Sequence, residues 1–441
     1  MSLGSCSFVP PFLLERIAAS SHEAAEHCRA TLARDEEFRA GRPASPAGDA
    51  VSAGAAAAAA AWVVHTAANG TTLPGTVVRS AGEPASGDAA VDEAADGIAD
   101  TLGTYTDVYQ RSSYDGKGAQ VVLTVHYDRN YDNAFWNGTQ LVFGDGDGKI
   151  FGSFTKPIDV LGHEFTHAVT EFTAGLTYQG QSGALNESVS DCFGMCVKQR
   201  ALGQTADQAD WLVGQGIFLP GIHARALRDM AHPGTAYDDP TLGKDPQVGD
   251  LADYVDTTDD NGGVHTNSGI PNRAFYLAAT AIGGDAWDGA GRIWYAALTG
   301  GQVTAGTDFA GFAAATVAAA GDHADAVRQA WTTVGVDPGG GSSGGGTGRT
   351  PAGAGVVRVR RTGGIAGRTV EGSVDLAAGD ERASAARDLV DRLDLTAPEA
   401  AAPMPDAFSY TFEVGDRSVT VAQHQLSADQ RALADLLLTD G

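Results

Sequence analysis

Residues 163–167 read His-Glu-Phe-Thr-His, which places two imidazoles four positions apart with a carboxylate between them. On a helix, side chains four positions apart lie on one face, with about 5–6 Å between their Cβ atoms. Two imidazoles at that spacing suit one tetrahedral Zn²⁺ as a pair of ligands. Glu164 then lies beside the metal, where it can take a proton from a bound water. The stretch therefore predicts a helix that carries part of a metal site.

A second acidic segment supplies a candidate for the missing ligand. Residues 183–191 read Gly-Ala-Leu-Asn-Glu-Ser-Val-Ser-Asp. Glu187 as third ligand would leave the fourth position to water, which is typical of catalytic rather than structural zinc sites. Asp191 follows one helical turn later, where it can accept the outer N–H of a ligating histidine. An acidic helix N-terminus that suits the helix dipole would explain either residue alone, but not their spacing from the first segment.

A third segment, residues 259–269, reads Asp-Asp-Asn-Gly-Gly-Val-His-Thr-Asn-Ser-Gly. His265 lies in this glycine-rich loop, at the start of a predicted helix. A histidine alone in such a loop would more often be structural. Asp260, five positions upstream, is a carboxylate partner that can hold the imidazole protonated, so that it can donate to an oxyanion.

Together these segments resemble the thermolysin family of zinc metallopeptidases, across roughly residues 62–336. The resemblance implies an α+β fold with two lobes, a mainly β N-terminal lobe and a helical C-terminal lobe, with the zinc helix between them. It implies one catalytic Zn²⁺ that is bound by His163, His167 and Glu187. Asp191 would support one of the zinc-binding histidines.

The resemblance also implies a set of catalytic roles. Glu164 would be the general base that activates water. His265 and Tyr178, the latter in the segment Thr-Ala-Gly-Leu-Thr-Tyr-Gln at 173–179, would stabilise the tetrahedral intermediate. Asp260 would orient His265.

Residues matching the family's substrate cleft are present as well. Residues 133–138 read Asn-Ala-Phe-Trp-Asn-Gly and match the edge segment that binds peptide backbone by strand addition, which implicates Asn133 and Ala134. Arg228 matches the arginine that binds the carbonyl after the scissile bond. An apolar pocket should receive the next side chain, so the resemblance implies cleavage before Leu, Phe, Ile or Val. The positions that match its lining are Phe151, Val160 and Leu227.

The sequence departs from the family at a double calcium site that many members hold beside the zinc. Asp159 and Asp210 stand at matching positions, whereas Lys198, Leu212 and Gln215 replace the other three acids. A lysine ammonium beside Asp159 can neutralise it without a metal. We therefore predict that the calcium double site is absent.

The start of the chain points to a subgroup. Residues 9–17 read Val-Pro-Pro-Phe-Leu-Leu-Glu-Arg-Ile, which is similar to the short precursor segment of protealysin-like members. The resemblance implies that residues 1–61 form an inhibitory, folding-assisting propeptide that is removed by self-cleavage. Its helix-like stretch runs from about residue 13 to residue 39, and the apolar residues 12–14 could pack on the enzyme body. The alternative is an ordinary N-terminal helix with a proline start.

The C-terminal part is set apart by composition. Residues 339–350 are rich in Gly and Ser and predict a flexible linker. Beyond it, residues 351–441 predict a small α+β domain. Residues 357–367 and 406–412 resemble emfourin, a protein inhibitor of thermolysin-type enzymes, although such strands could belong to any small sheet domain. The predicted strands are 356–360, 408–414 and 418–421, and the predicted helices are 384–393 and 427–438.

Patterning of the intervening chain gives the domain bounds. Residues 62–147 are strand-like, with strands at 121–127 and 140–143, and helical periods follow from residue 159. The predicted domains are a propeptide (1–61), an N-terminal peptidase lobe with the zinc helix (62–209), a helical C-terminal lobe (210–338), a linker (339–350) and an emfourin-like domain (351–441).

Composition excludes several classes of protein. The 441 residues carry a net charge of −26 and a pI near 4.6, which argues against binding nucleic acid through bulk charge and against docking on anionic membranes. The longest apolar run, at 55–64, is far shorter than the roughly 20 residues of a membrane span. Four cysteines are too few for a disulfide scaffold. The first 30 residues show no conventional secretory signal, so we expect a cytoplasmic protein or export by another route.

Three functions remain open at this point. The first is a zinc endopeptidase made as a zymogen, which acts on peptide or protein substrates and carries its own C-terminal domain as an intramolecular inhibitor. The second is a binding protein with a dead or permanently blocked peptidase body. The third is an active protease whose C-terminal domain is a targeting module. The presence of every catalytic position counts against a dead enzyme.

Overall fold

The structure, a computed structural model, describes residues 7–41, 61–339, 356–362, 370–375, 381–390, 408–414, 417–423 and 426–438. The chain divides into two compact units, Met1–Gly344 and Gly345–Gly441. The predicted linker beyond Gly339 lies outside the described residues, as does the alanine-rich connector at 42–60.

The helices are α1 (Pro11–Ala18), α2 (Ala25–Gly41), α3 (Ala89–Tyr109), α4 (Ile158–Glu171), α5 (Gly180–Leu202), α6 (Asp260–Asn267), α7 (Gly269–Ile282), α8 (Ala290–Thr299), α9 (Phe309–Ala319), α10 (Ala324–Thr333), α11 (Glu381–Val390) and α12 (Ala428–Leu438). The strands are β1 (Trp62–Thr66), β2 (Thr76–Ser80), β3 (Val121–Val125), β4 (Ala134–Trp136), β5 (Leu141–Phe143), β6 (Leu212–Val213), β7 (Arg228–Asp229), β8 (Asp238–Asp239), β9 (Gly243–Lys244), β10 (Val356–Thr362), β11 (Val370–Asp375), β12 (Ser409–Val414) and β13 (Arg417–Ala422). Among these helices, none combines the length and the apolar character that a bilayer span requires.

The N-terminal lobe contains a five-stranded sheet in the order β2-β1-β3-β5-β4. Strand β1 runs parallel to β3 and β3 runs parallel to β5, whereas β2 and β4 are antiparallel edge strands. Strand β4 therefore presents one side for pairing with another segment. A single antiparallel bridge between Ser7 and Phe135 uses that side.

The strand-like prediction for 62–147 missed α3. Its N-cap, Asp88, accepts hydrogen bonds from the backbone amides of Ala90 and Val91, as a good cap does. The buried face of α3 combines small residues with Val91, Ile98 and Tyr105, which recur every seven positions. A helical signal was therefore present in the sequence and was overlooked.

The single helix predicted for 13–39 is two helices, α1 and α2. The hydroxyl of Ser20 donates to the carbonyl of Ile17 and accepts from the amide of His22. The ring of His22 in turn accepts from the amide of Ala24. Such local side-chain bonds compete with the helical ladder, and they turn the chain between the two helices.

The zinc helix of the prediction is α4, which packs against α3, α5 and β4. Helices α4 and α5 approach closely where Gly162 faces Gly194. A Cβ atom on Gly162 would lie 3.0 Å from the Cα of Gly194, and a Cβ on Gly194 would lie 2.6 Å from the carbonyl of Asp159. A side chain at Gly194 would have to displace backbone, and one at Gly162 would push α5 away by a few tenths of an ångström. The two glycines therefore let the ligand-bearing faces of both helices come together.

The rest of the first unit is mainly helical, with α7, α8, α9 and α10 packed on one another and α5 against α6 and α7. Its strands form two small two-stranded sheets, β6-β7 and β8-β9. The architecture is the predicted one, a mainly β lobe followed by a helical lobe. The last two helices of the unit, α9 and α10, are separated by a short 3-10 turn (Gly321–His323).

The second unit is an antiparallel sheet in the order β11-β10-β12-β13, with helices α11 and α12. Its core is separate from that of the first unit and includes Val357, Val359, Phe412 and Leu433. The three predicted strands and two predicted helices are present with shifted ends. Strand β11 was not predicted, because its Glu, Gly, Ser and Asp residues give little apolar alternation.

Candidate metal and peptide-binding site

Helices α4 and α5 bring together three side chains that could hold a metal ion, His163, His167 and Glu187. The Nε2 atoms of the two histidines lie 2.9 Å apart. The carboxylate of Glu187 lies 3.5 Å from each of them. All three side chains are buried.

The outer nitrogen of each histidine is already engaged. His163 Nδ1 lies 2.8 Å from an oxygen of Asp191, and His167 Nδ1 lies 2.8 Å from Oδ1 of Asn186. Because Nδ1–H donates to these acceptors, each Nε2 presents a lone pair to the shared space. Two lone pairs and a carboxylate at such distances repel unless a cation lies among them. The residues therefore fit Zn²⁺, for which imidazole and carboxylate are ordinary ligands.

Asp191 connects His163 to Arg228. One carboxylate oxygen accepts from His163 Nδ1 and from Arg228 Nη2 (2.7 Å), and the other accepts from Arg228 Nε (2.8 Å) and Asn272 Nδ2 (2.8 Å). Burial opposes ionisation, but the charges of Arg228 and His163 outweigh it and hold the pKa of Asp191 below its usual range. Asp191 thus stays a carboxylate that fixes both neighbours.

Glu164 points to the same region from α4 and is fully buried. Among the residues that the structure describes, neither of its carboxylate oxygens has a hydrogen-bond partner. Burial and then the charge of Glu187 raise the pKa of Glu164 well above its usual range. A buried carboxyl without partners beside a candidate metal site is a suitable proton acceptor.

His265, Asp260 and Tyr178 form a hydrogen-bonded group next to Glu187. His265 Nδ1 lies 2.8 Å from Asp260 Oδ1, and its backbone amide donates to the other oxygen of Asp260 at 3.0 Å. Tyr178 donates to Glu187 at 2.5 Å, and its hydroxyl lies 3.3 Å from His265 Nε2. Burial lowers the pKa of His265, but the charges of Asp260 and Glu187 raise it overall to about 9. His265 is therefore a proton donor at neutral pH.

The backbone from Asp260 to Gly263 makes this pairing possible. All four residues have positive φ, between 49° and 84°. The run turns the chain back on itself, so that the Asp260 carboxylate reaches the amide and ring of a residue five positions later. Such angles suit glycine at the last two positions.

The cleft beside this site contains the start of the same chain. The amide of Phe8 donates to the Ala134 carbonyl at 3.0 Å, next to the Ser7–Phe135 bridge. The Phe8 carbonyl accepts from Arg228 Nη1 at 3.1 Å. This segment thus adds to the edge strand β4 as a peptide ligand does.

Val9 continues the pairing through Asn133. The Val9 amide donates to Asn133 Oδ1 at 2.8 Å, and Asn133 Nδ2 donates to the Val9 carbonyl at 3.3 Å. Asn133 Nδ2 also donates to Asp35 of α2 at 3.0 Å, and Asp35 accepts from the hydroxyl of Tyr131. Helix α2 therefore holds the asparagine that binds the segment.

The ring of Phe8 is fully buried next to the metal site. It meets the ring of His163 edge-on, with 5.2 Å between centroids, and the guanidinium of Arg228 lies 4.8 Å from its centroid. A Cβ on Gly214 would lie 3.1 Å from the Phe8 ring. Leu227, Phe151 and Val160, the predicted pocket residues, are all buried in the core that includes Phe8.

The oxygen that points back to the metal site belongs to Ser7. Its carbonyl lies 3.1 Å from His265 Nε2. The peptide bond between Ser7 and Phe8 therefore lies between His265 on one side and Arg228 and Ala134 on the other.

Further contacts hold α2 on the N-terminal lobe. The amide of Asp132 donates to Thr31 Oγ1 at 3.1 Å, and the Cys28 thiol lies 3.7 Å from the Asp132 carboxylate. Arg34 pairs with Asp128 at 3.3 Å. Burial and then the charge of the nearby Asp147 raise the pKa of Asp132 to about 8.

Lys198 was predicted to neutralise Asp159, and its charge does lower the pKa of Asp159, although burial keeps that pKa above its usual value. The Lys198 ammonium, however, donates its hydrogen bonds to Asp210 (3.0 Å) and to the Leu212 carbonyl (2.9 Å). Asp159 instead accepts from the amide of Gly214 at 2.7 Å.

Sequence reasoning missed two residues, Phe8 and Asp35. The predicted apolar segment 12–14 does pack on the enzyme body, with Leu13 and Leu14 buried in its core, but the residue that enters the cleft is Phe8. The prolines gave a partial signal, because Val9, directly before Pro10, is restricted to extended backbone, as a cleft-binding peptide is. They do not identify the pocket that the Phe8 ring enters. No local pattern distinguishes Asp35 from other acids of α2.

Comparison with known families gives three matches. A family described as "Thermolysin metallopeptidase, catalytic domain" matches residues 53–171, and "Thermolysin metallopeptidase, alpha-helical domain" matches residues 174–336. The family "Emfourin" matches residues 359–438.

Individual relatives agree. The chain is 49% identical over 339 residues to "Extracellular metalloprotease" of Pectobacterium carotovorum subsp. carotovorum, covering 75% of this chain and 96% of the relative. It is 49% identical over 280 residues to "Protease PrtS" of Photorhabdus sp. (strain Az29), covering 62% of this chain and 76% of the relative. Among solved structures, the precursor of protealysin from Serratia proteamaculans is similar with a TM-score of 0.68 and 48% identity, over 75% of this chain and 99% of that one.

Proposed function

Because the chain belongs to the thermolysin family of zinc metallopeptidases, as a protealysin-like member with a C-terminal emfourin domain, we propose that it is a neutral endopeptidase made as a zymogen. The observation that carries the proposal is the Ser7–Phe8–Val9 segment, which binds along β4 beside the candidate zinc ligands. A cleft that binds a peptide at such a site is suited to peptide hydrolysis.

In this mechanism, His163, His167 and Glu187 would hold Zn²⁺, which when bound supplies a Lewis acid and lowers the pKa of water. Glu164 accepts a proton from the attacking water and passes it to the leaving amine. Its burial and lack of partners among the described residues support that role.

The oxyanion is stabilised by the chain's own donors. His265, held protonated by Asp260, and Tyr178 donate to the oxygen of the scissile carbonyl. The position of the Ser7 carbonyl, 3.1 Å from His265 Nε2, supports this role. Loss of one such donor typically costs on the order of 10²–10³ in rate.

Specificity for a bulky apolar residue after the scissile bond follows from the pocket that Phe8 fills. Its ring is fully buried, and Gly214 leaves the room that the ring occupies. Arg228 binds the carbonyl of the same residue, and Asn133 binds the next one. A substrate would use the same three contacts with Phe, Leu, Ile or Val in that pocket.

The zymogen role follows from the same contacts. While Phe8 and Val9 remain in the cleft, a substrate cannot add to β4. We assign residues 1–61 to the propeptide, 62–209 and 210–338 to the peptidase lobes, 339–350 to the linker and 351–441 to the emfourin-like domain. Self-cleavage in the alanine-rich connector, which lies outside the described residues, would separate the propeptide.

The emfourin domain is proposed as a tethered inhibitor that acts once the propeptide has left the cleft. A linker of this length and composition gives an effective concentration on the order of millimolar. Even a micromolar interaction would then keep the cleft occupied most of the time, if the linker permits binding in cis. Two alternatives remain. The C-terminal domain could be a targeting module of an active protease, or the whole chain could be a permanently self-inhibited binding protein.

A calcium-free first unit is part of the proposal. The ammonium of Lys198 bonds to Asp210 and Leu212, at the positions matching the calcium ligands of other family members. A calcium ion and the Lys198 ammonium would compete for the same oxygens. We therefore propose that the ammonium takes the place of calcium.

The test uses the chain ending at Gly344, the limit of the first compact unit. Zinc is added, and hydrolysis of a quenched peptide with Leu after the scissile bond is followed beside a Glu164→Gln chain that should keep zinc and lose turnover. Appreciable hydrolysis by the variant would refute the assigned base.

A second experiment tests the C-terminal domain. Adding the separate unit 345–441 to the active enzyme should reduce the rate of peptide hydrolysis. A rate that does not change during this titration would instead favour a targeting module.

A further inference from the structure

We propose that the Ser7–Phe8 peptide bond is itself a self-cleavage site, and that the zymogen cuts it while the propeptide stays bound. This inference rests on the proposed peptidase function and adds a specific bond to it. Cutting there differs from removal of the propeptide, which needs a cut in the connector at 42–60.

The register of the segment carries the inference. The Ser7 carbonyl faces His265 Nε2 at 3.1 Å. The residue after the bond, Phe8, donates its amide to Ala134 and presents its carbonyl to Arg228. These are the contacts that the proposed mechanism requires of a scissile peptide, on both sides of one bond.

The side chain after the bond is also the one that the pocket selects. Phe8 is bulky, apolar and fully buried against the ring of His163. In contrast, the neighbouring bond between Phe8 and Val9 has its carbonyl on Arg228, away from His265. Of these two bonds, the Ser7–Phe8 bond is the one whose carbonyl lies next to His265.

The proposed cut is a hydrolysis of one peptide bond by one water molecule. The bond between the Ser7 carbonyl carbon and the Phe8 nitrogen breaks, and the oxygen of one water joins that carbon to make a carboxylate. Glu164 transfers a proton to the departing Phe8 amine. No oxidant, reductant or further reactant is needed.

The cut alone does not release the propeptide. The chain after Phe8 remains bound through the pairing of Val9 with Asn133 and through Asp35, Thr31 and Arg34 of α2. The nicked zymogen therefore keeps Phe8 in its pocket, now as a new N-terminus, and stays latent. Release of residues 1–7 and onset of activity are separate events.

The experiment follows intact mass after zinc is added to the metal-free chain ending at Gly344. The expected product is a chain that begins at Phe8, present before the connector is cut. Because the bond is buried in its own cleft, its first-order rate should not change on tenfold dilution. A Glu164→Gln chain should keep Met1–Ser7.

Two further variants keep the test specific. Phe8→Asp, which places a charge where the pocket is apolar, should lower the rate of this cut by at least tenfold. Glu15→Gln, at an exposed position of α1, should be cut like the wild type. A wild-type chain that hydrolyses an added peptide but keeps the Ser7–Phe8 bond would overturn the inference alone. A chain that hydrolyses no peptide would overturn the proposed function with it.

A second readout needs no turnover. In the Glu164→Gln chain, hydrogen exchange at the amides of Phe8 and Val9 should be slowed at least tenfold relative to a free peptide, with or without zinc, because both amides are bonded to the cleft. Exchange as fast as in the free peptide would show that the register is wrong.

Discussion

The carbonyl of Phe8 accepts a hydrogen bond from Arg228 Nη1 at 3.1 Å. The same guanidinium bonds through its other nitrogens to Asp191, which in turn holds a candidate zinc ligand, His163. A residue from the start of the chain is thus tied to the metal site through two side chains. The proposed latency, in which the cleft binds the N-terminal segment as it would bind a peptide, accounts for this arrangement.

Asp35 should be a determinant of latency. It accepts from Tyr131 and from Asn133, and it is almost fully buried. Asp35→Ala leaves both donors without this acceptor, at a cost of about 1–3 kcal/mol, so the lag before self-activation should shorten by about tenfold or more. Progress curves on a quenched peptide measure the lag. Glu36→Ala, at the exposed neighbouring position, is the control, and an equal lag in both variants would contradict the role of Asp35.

Asp191 should support zinc binding. Replacing it with Asn removes the charge that fixes the His163 imidazole and leaves Arg228 buried without its partner carboxylate. Loss of such an outer partner typically weakens metal affinity 10–100-fold. Competition with a zinc-binding dye measures the change, with Asp322→Asn at an exposed position as control. Unchanged zinc affinity in Asp191→Asn would refute this account of the carboxylate.

The family, the fold class and the catalytic zinc could be predicted from the sequence because their determinants are local. His163 and His167 share a helix face, and Glu187 lies on the next helix at a spacing that the family resemblance fixes. The comparisons confirm the family and the fold class. The individual catalytic and substrate-binding roles stay predictions, although the structure brings those side chains around one cleft.

Asp132 should make the stability of the zymogen depend on pH. Burial and Asp147 raise the pKa of Asp132 to about 8, against about 3.9 in an unfolded chain. A carboxyl with a raised pKa contributes its full stabilisation below about pH 4 and loses it as the pH rises toward 8.

Asp132→Asn removes that titration. The free energy of unfolding of the variant, relative to that of the wild type, should therefore increase as the pH rises from 5 to 8, by up to about 1 kcal/mol per pH unit. Urea unfolding in the Glu164→Gln background, which prevents self-cutting, measures the difference. Asp100→Asn, at an exposed position of α3, should show no such trend. A constant difference between Asp132→Asn and wild type would contradict the prediction.

Calcium should not stabilise the first unit. Adding millimolar calcium to a zinc-buffered, calcium-free sample should shift the melting temperature by less than about 1 °C, since a ligand that does not bind cannot stabilise. A rise of several degrees would show that a calcium site exists. Lys198→Ala should instead destabilise by about 1–2 kcal/mol, because it leaves the buried Leu212 carbonyl without its donor and the partly exposed Asp210 carboxylate without its ion pair. Lys117→Ala, at an exposed position, is its control.

The parts that sequence reasoning missed depend on long-range contacts. Phe8 meets Arg228 and His163 only after the whole peptidase has folded, so no pattern near Phe8 identifies its pocket. Asp35 likewise depends on Asn133, far away in the chain. Helix α3 does not depend on such contacts, because its buried Val91, Ile98 and Tyr105 recur at a helical spacing, and the sequence could have predicted it.

The most direct test of latency compares the initial rate of peptide hydrolysis of two zinc-loaded chains ending at Gly344, the wild type and Phe8→Asp. A charge in the apolar pocket should expel the segment that Arg228 and Asn133 bind. We predict that the variant hydrolyses a quenched peptide with Leu after the scissile bond from the first seconds, at a rate at least tenfold above the wild type, which should show a lag. Equal initial rates would show that the cleft is already open in the precursor, and would contradict the account.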